Sequence, residues 1–506
     1  MAISIRQVLR QSLKFSAVSS VSVLLKIPTQ LVIGMFLIPE EYGIISFVTL
    51  WKLYAGLANP GMLPGAQREI PYLIGKNQRR EALKVQNIAI SADLLYSAVP
   101  FAVMLCGSFL YTSHLVRIGL ILTATWFLAE RFVGYWVTVN FIRQKFTIVA
   151  IGKLIRSVMS PVILILSINW LGVYAVLLAP LICTILTGLY YLRKGPIGYH
   201  FQFEWAEVVR LVKVGFIFSL SGIVFYMYRM ADRTIIASLL PLRDLGLFAF
   251  AMSIIMVITN FFADIGRVLE PILWEHSARV ENVSGAFSST RRMAVYVALA
   301  TAMVIPISQL GYSAIVQLLV PAYRDSMLVF LIVSNMIYLG TMSMIPAVIL
   351  NSIVVKKAGL VTAILAIGVG INICLDVVVI LAGHGIEAVG VVTVLSQGIV
   401  TCVLYYAARK YIVKRKGRYA LFIGRATLPF MISILFSVFH GLFLGSAVLN
   451  PLLVGAVSML CQVLLWCGVV QLFYRDYVTR EKIAGIIKEA WRVGSSRIKK
   501  RTPRSQ

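Results

Sequence analysis

Acidic residues are scarce in this chain: 20 Asp+Glu among 506 residues, with charged residues of both signs at only 13 %. A soluble domain carries roughly 25 % charged residues, so this composition cannot cover a water-facing surface, and a soluble globular protein is excluded. Motifs for chemistry are missing too. No GxxxxGK[ST] phosphate loop occurs, which excludes that route to ATP. HExxH, GxSxG and EF-hand patterns are absent, and the five histidines are scattered, so the chain reads as a non-enzyme with no metal site and no cofactor. The six cysteines (Cys106, Cys183, Cys374, Cys402, Cys461 and Cys467) show no CxxC spacing, which argues against a disulfide framework or a zinc site. All lie in apolar runs and read as small packing residues.

What the chain has instead is hydrocarbon. Hydrophobic residues make up 59 %, and the mean hydropathy is +0.87. A membrane-spanning helix needs about 20 predominantly apolar residues. That criterion predicts an all-α polytopic protein with spans near 15–38, 43–63, 87–110, 116–139, 147–168 and 172–192. After a polar stretch they resume near 214–240, 245–266, 293–316, 326–350, 358–382 and 387–407, with two more near 421–444 and 451–473. These are about fourteen transmembrane helices. Arg6, Arg10 and Lys14 precede an apolar run reaching Ile38, longer than the core of a cleavable signal, and the run reads as the first span.

The net charge of +27 would suggest nucleic acid in a soluble protein. Here the basic residues cluster in alternate loops, and the opposite loops contribute only Arg117, Arg243 and Arg324. That bias predicts a multi-pass membrane protein with both termini in the cytoplasm and no nucleic-acid partner. Loops on the other face are as short as Pro39-Glu40-Glu41 or Asn169-Trp170, which leaves no outer domain for a polymerising or ligating enzyme. Trp136, Trp170, Trp205, Trp274 and Trp466 lie toward span ends and read as interfacial anchors. Basic residues dominate from Arg475 to Arg504, and Ile483, Ile486, Ile487, Ala490 and Trp491 recur at helical spacing, as in an amphipathic helix lying on anionic membrane lipid.

The chain also echoes itself. Pro39-Glu40-Glu41-Tyr42-Gly43 leads into the second span and Pro241-Leu242-Arg243-Asp244-Leu245-Gly246 into the eighth; Leu189–Lys194 closes the sixth and Leu404–Lys410 the twelfth. Six spans, a linker and six more in the same orientation make a parallel repeat, as in transporters with two rocking halves. The expected division is an N-terminal lobe over 1–192, a cytoplasmic linker over 193–213, a C-terminal lobe over 214–408, two additional helices over 409–474 and a basic tail over 475–506.

With Arg229-Met-Ala-Asp-Arg-Thr-Ile-Ile236, Leu245-Gly-Leu-Phe-Ala-Phe-Ala251, and Asn372 ahead of Gly385-Ile-Glu-Ala-Val-Gly390, the chain resembles the polysaccharide transporter family of oligosaccharide flippases. That family lies within the multidrug/oligosaccharidyl-lipid/polysaccharide exporter superfamily. The resemblance implies two six-helix lobes around a central cavity, opened alternately to each side. It implies a lipid-linked oligosaccharide, carried on undecaprenyl pyrophosphate, as cargo for surface polysaccharide synthesis. Polysaccharide polymerase and chain-length proteins are the implied partners. Export of a drug or of the peptidoglycan lipid precursor by a superfamily relative is the alternative within transport.

Charges inside spans are the informative positions. Lys26, Lys52, Arg131, Arg229 and Arg233 are basic; Asp93, Glu130, Asp232, Asp264 and Asp376 are acidic. A basic residue at mid-membrane costs about 2.5–3.5 kcal/mol, so five facing lipid would cost roughly 15 kcal/mol; they must face a wet cavity or a partner. The five cations are the expected contacts for a pyrophosphate, which charge-assisted hydrogen bonds suit. Lys26, two residues before Pro28, either lines a bending helix or pairs with an acid elsewhere; Lys52 either lines the cavity or snorkels. Arg229, Asp232 and Arg233 share a helical face, as a phosphate contact, a gate or a structural ion network. Glu130 and Arg131 point about 100° apart, so one faces the cavity and the other pairs elsewhere, and Glu130 is a candidate for gating or ion coupling. Asp376 has no basic residue within four positions and is the candidate for proton or sodium coupling. Asp93 and Asp264 lie nearer the cytoplasmic ends and read as solvated, with Asp93 also a gating or coupling candidate.

Overall fold

The computed structural model describes residues 25–57, 61–142, 145–194, 199–278, 290–352, 354–413 and 416–444, with most of 456–468. Among these residues every regular element is a helix. In order they are α1 (Lys26–Phe36), α2 (Pro39–Leu57), α3 (Met62–Gly75), α4 (Arg79–Ser108), α5 (His114–Ile142), α6 (Phe146–Leu171), α7 (Val173–Lys194) and α8 (Trp205–Leu239). There follow α9 (Leu242–Ala278), α10 (Thr290–Leu318), a 3-10 turn (Pro321–Ser326), α11 (Met327–Val333), α12 (Met336–Asn351), α13 (Ala358–Leu381), α14 (Ile386–Ile412) and α15 (Lys416–Leu444). Lipid offers no hydrogen bonds to the backbone, so each segment must satisfy its own peptide groups as a helix.

Nine described segments are long and apolar enough to cross a membrane, and the chain is a multi-pass membrane protein. Three other long helices, α2, α5 and α8, carry the charges singled out above: Lys52 on α2, Glu130 and Arg131 on α5, and Arg229, Asp232 and Arg233 on α8. The start of the first expected span, most of the last and the basic tail lie outside the described residues. Large apolar side chains such as Leu166, Leu381 and Leu442 are exposed on the outside, where lipid is the solvent.

Two features depart from the sequence reading. The stretch after the second span, expected to be loop, holds the helix α3. It turns off α2 at Gly61, whose φ of 113° is a conformation that favours glycine, and it packs Ala66 and Ile70 against Val85 and Ala89 of α4 and Leu211 of α8. The expected span over 326–350 is broken into α11 and α12. At the break the Ser334 hydroxyl and the Asn335 amide donate to the Leu331 carbonyl (2.8 and 3.3 Å). Side chains that bond back to the backbone compete with the helical ladder in this way.

The helices before the 195–198 segment pack chiefly on one another, as do those from α8 onward. The two groups meet where α2 crosses α9 and where α3 crosses α8. The α2–α9 crossing joins the two echoed motifs. A Cβ at Gly43 would run into the Leu242 carbonyl, and one at Gly246 into the Pro39 carbonyl. Arg243 bridges Asp325 (2.5 Å) and Glu40 (3.4 Å) beside it, and the Tyr323 hydroxyl donates to the Leu37 carbonyl (3.0 Å). At the opposite end Gly215 meets the Gly61 carbonyl with equal intimacy, and Arg210 pairs with Glu69 (2.5 Å). Glycine permits both approaches because it has no Cβ.

Gly246→Ala is therefore expected to cost about 1–3 kcal/mol by overpacking. Gly370→Ala, whose Cβ would meet nothing within 4 Å, is the neutral control. Thermal unfolding in detergent compares them; equal melting temperatures would contradict the close crossing.

Trp136 does not serve as the expected interfacial anchor. It is 4 % exposed, packed with Tyr135, Val139 and Tyr191, whereas Trp170 and Trp205 are exposed. Trp274 and Trp466 lie outside the described side chains. Cys183 is buried as expected, but Cys106, Cys374, Cys402 and Cys461 are exposed. A thiol is small and apolar enough to sit in lipid as well as in a core.

Candidate functional site

Between α1, α5, α6 and α7, with Asn260 of α9 closing one edge, lies a cavity of about 650 Å³. Its charged lining is Lys26 from α1, Lys153 and Arg156 from α6, and Glu130 from α5. Around them stand Thr29, Gln30, Ser157 and Ser160, which offer hydroxyls and an amide, and the Trp126 ring. Helical spacing explains the convergence: Lys153, Arg156, Ser157 and Ser160 recur three or four residues apart and form one polar stripe on α6.

Lys153 and Arg156 are cavity-lining residues absent from the intramembrane charges singled out in the sequence, although both fall inside the span expected over 147–168. Arg156 sits ten residues into α6, roughly 15 Å from its start at 1.5 Å per residue. The polar stripe was the signal that could have found them, since a purely lipid-facing helix would not keep it.

Each expected site residue has a definite place. Lys26 is exposed to the cavity. Lys52 packs on the Trp126 ring, 3.0 Å from its centroid, and its ammonium lies 2.7 Å from Glu130 Oε2. Glu130 Oε1 accepts from Arg156 at 2.8 Å, and Arg156 also donates to the Thr184 hydroxyl at 2.8 Å. Of the adjacent pair on α5, Glu130 faces the cavity. Arg131 turns away, donating to the Gly56 carbonyl at the end of α2 (2.8 Å) and lying over the Phe127 ring.

On α8 the three charges diverge. Arg229 donates to Asn260 Oδ1 at 3.2 Å, so it reaches the cavity edge through a lining residue. Arg233 lies near Tyr42 and Asp232, its Nε without a hydrogen-bond partner. Tyr42 in turn donates to Gln30 of the cavity at 2.9 Å.

Asp232 turns into a second polar site. The Asn372 amide of α13 donates to Asp232 Oδ1 (2.5 Å) and to Asp376 Oδ2 (2.8 Å). Thr393 of α14, whose hydroxyl donates to the Val389 carbonyl (2.8 Å), lies beside Asp232, and the Asn372 amide holds the two carboxyls as neighbours. Asp376 is fully buried, its Oδ1 without a partner. The sequence placed no base near Asp376; the fold brings an acid instead.

Asp93 is buried at 3 % exposure rather than solvated, and it is not among the cavity lining. The Asp264 side chain lies outside the described residues. Among the described residues no three His, Cys, Asp or Glu side chains converge as a metal site.

Residues 32–322 match the model of a family described as polysaccharide biosynthesis protein. No curated protein sequence gives a significant match. Among solved structures the chain is similar to the lipid II flippase MurJ in an inward closed conformation, with a TM-score of 0.66 and 14 % identity, over 92 % of this chain and 99 % of that one. It is also similar to an inward-facing multidrug resistance MATE family transporter of the MOP superfamily, with a TM-score of 0.64 and 13 % identity over 80 % and 95 % of the two chains. A third is a MOP superfamily transporter from Pyrococcus furiosus reported with a binding pocket of reverse polarity, at a TM-score of 0.58 and 13 % identity over 84 % and 99 %. The fold is that of these polytopic transporters.

Proposed function

This chain belongs to the family of polysaccharide biosynthesis proteins, and we propose that it is a non-enzymatic flippase moving an oligosaccharide on a polyprenyl pyrophosphate across the cytoplasmic membrane. The observation that carries this reading is the cavity. Lys26, Lys153 and Arg156 line it against one acid, Glu130, amid membrane-crossing helices. Three cations against one acid give the lining a net positive charge at membrane depth, which suits an anionic cargo. Diphosphate oxygens suit these donors, and the neighbouring hydroxyls and amides match sugar hydroxyls. The volume of about 650 Å³ suits the diphosphate and its first sugars.

In this reading the N-terminal lobe, whose α1, α5, α6 and α7 line the cavity, rocks against the C-terminal lobe, which reaches the cavity through Asn260 of α9. The linker is the shorter stretch between α7 and α8, since α8 already begins at Trp205, and the termini and the basic tail lie on the cytoplasmic side. The α2–α9 crossing closes the outer face and the α3–α8 crossing the inner. The lipid tail stays in the bilayer, and polymerase and chain-length proteins take the product.

The coupling ion belongs to the second site. Asp232 and Asp376 put two carboxylates together, and Arg233 near Asp232 balances one of them. A bound proton or sodium ion would balance the other, and oxygen donors from Asp232, Asp376, Asn372 and Thr393 suit a hard monovalent cation. A net positive cavity disfavours cationic drugs as cargo.

Reconstitution tests the proposal. Proteoliposomes containing the chain are expected to expose a pyrophosphate-linked oligosaccharide lipid to an external glycosidase, whereas protein-free vesicles should not. In a deletion strain the complete lipid-linked repeat unit is expected to accumulate on the cytoplasmic leaflet, and its mass identifies the sugar. An unchanged lipid pool with altered drug sensitivity would overturn the reading. Accumulation of the peptidoglycan precursor would reassign the cargo.

A further inference from the structure

We propose that Glu130 is the resident counter-anion of the cavity, and that a diphosphate head binds by displacing it from Lys52 and Arg156. The inference rests on the flippase reading above and adds how the site binds and lets go.

Glu130 uses its two oxygens on two different helices: Oε2 meets Lys52 of α2 at 2.7 Å and Oε1 meets Arg156 of α6 at 2.8 Å. A phosphate presents a similar pair of oxygens with more charge, so it fits the same bridge. The position is reachable, since the Glu130 and Arg156 side chains are 37 % and 34 % exposed on the cavity side. Each cation also has a second hold that does not involve Glu130. Lys52 is clamped on the Trp126 ring, and Arg156 is tied to Thr184. When the carboxylate swings away, both donors stay aimed at the same point. A pair held only by each other would collapse instead.

The arrangement addresses a problem every carrier has: the site must attract cargo and still release it. Without Glu130, Lys52 and Arg156 would lose the carboxylate that bridges them, and taking away one partner of a partly buried ion pair is strongly unfavourable. With it, binding exchanges one anion for another, and the carboxylate returns to Lys52 and Arg156 as the head departs. Glu130 thus sets affinity and release rather than contributing affinity.

The test uses the full-length chain in nanodiscs, with farnesyl diphosphate as probe and farnesol as the uncharged control. Glu130→Gln removes the competing charge and is expected to tighten diphosphate binding about tenfold, the scale of one charge-assisted hydrogen bond. The same variant is expected to flip lipid-linked cargo more slowly, because release is impeded. Glu130→Asp keeps the charge, and with it the fold, but is too short to span both cations; a tightening of about threefold is expected. Tighter binding with slower turnover is a split that a merely structural tie between α2, α5 and α6 would not produce. If wild type prefers the diphosphate over farnesol but neither variant binds more tightly, the exchange is overturned and the flippase reading stands. If wild type shows no such preference, the diphosphate reading falls and the exchange falls with it.

Discussion

Lys26→Ala combined with Lys153→Ala is expected to lower flipping by a factor of a hundred or more while leaving membrane insertion unchanged. Both side chains line the cavity, from α1 and α6. A hydrogen bond to a charged group contributes about 1.5–3 kcal/mol, so losing two takes away about 3–6 kcal/mol of interaction with the diphosphate. At 1.4 kcal/mol per decade, that is at least about a hundredfold. Insertion is set by the apolar spans and the loop cations, which the variant leaves alone. Flipping in proteoliposomes, normalised to protein recovered in the membrane, checks the expectation. A double variant flipping at the wild-type rate would remove the cavity from the mechanism.

This pair is a better probe than Arg229→Ala with Arg233→Ala, which the sequence alone would recommend. Arg233 sits beside buried Asp232. Removing it leaves that carboxylate with less compensation, so lost transport in that variant would be confounded with a folding defect.

Asp376→Asn is expected to abolish ion-gradient-driven transport while leaving diphosphate binding intact. Asparagine has nearly the shape of aspartate and keeps an oxygen to accept from Asn372, which now bonds Asp376 at 2.8 Å. What it removes is the negative charge that would hold a proton or a sodium ion against Asp232. The variant should flip at one rate whether or not a proton or sodium gradient is imposed, and that rate should equal wild type with gradients collapsed. Farnesyl diphosphate affinity should stay within about twofold, since the site is separate from the cavity lining. A variant that still accelerates under an imposed gradient would place coupling elsewhere. Asp376→Ala is a poorer test, because it leaves a hole and takes the acceptor from one of the two Asn372 amide hydrogens in a buried setting.

Much of the architecture was written in local composition. Apolar runs of membrane length marked α4, α6, α7, α9, α10, α13 and α14 because lipid solvation acts on each segment by itself. The echo of Pro39–Gly43 in Pro241–Gly246 was also visible, though not that the two would meet as the α2–α9 crossing. Local pattern failed at α3 and at the break between α11 and α12. The first depends on packing against α4 and α8, and the second on side chains that bond back to the backbone.

For the site, the sequence by itself determined which charges lie too deep to be solvated by loops, because the cost of burying a charge depends on depth along the chain's own spans. It did not determine their partners. Lys52 and Glu130 are far apart in sequence yet form an ion pair. Arg156, inside an expected span but not singled out in the sequence, is a cavity wall. Asp232 shares a helical face with Arg229 and Arg233 in the sequence, and the fold also joins it to Asp376 through Asn372, 140 residues away. Only the tertiary structure decided these pairings. Electrostatic partnership depends on a few ångströms of separation, and separation between helices is set by packing that no single segment encodes.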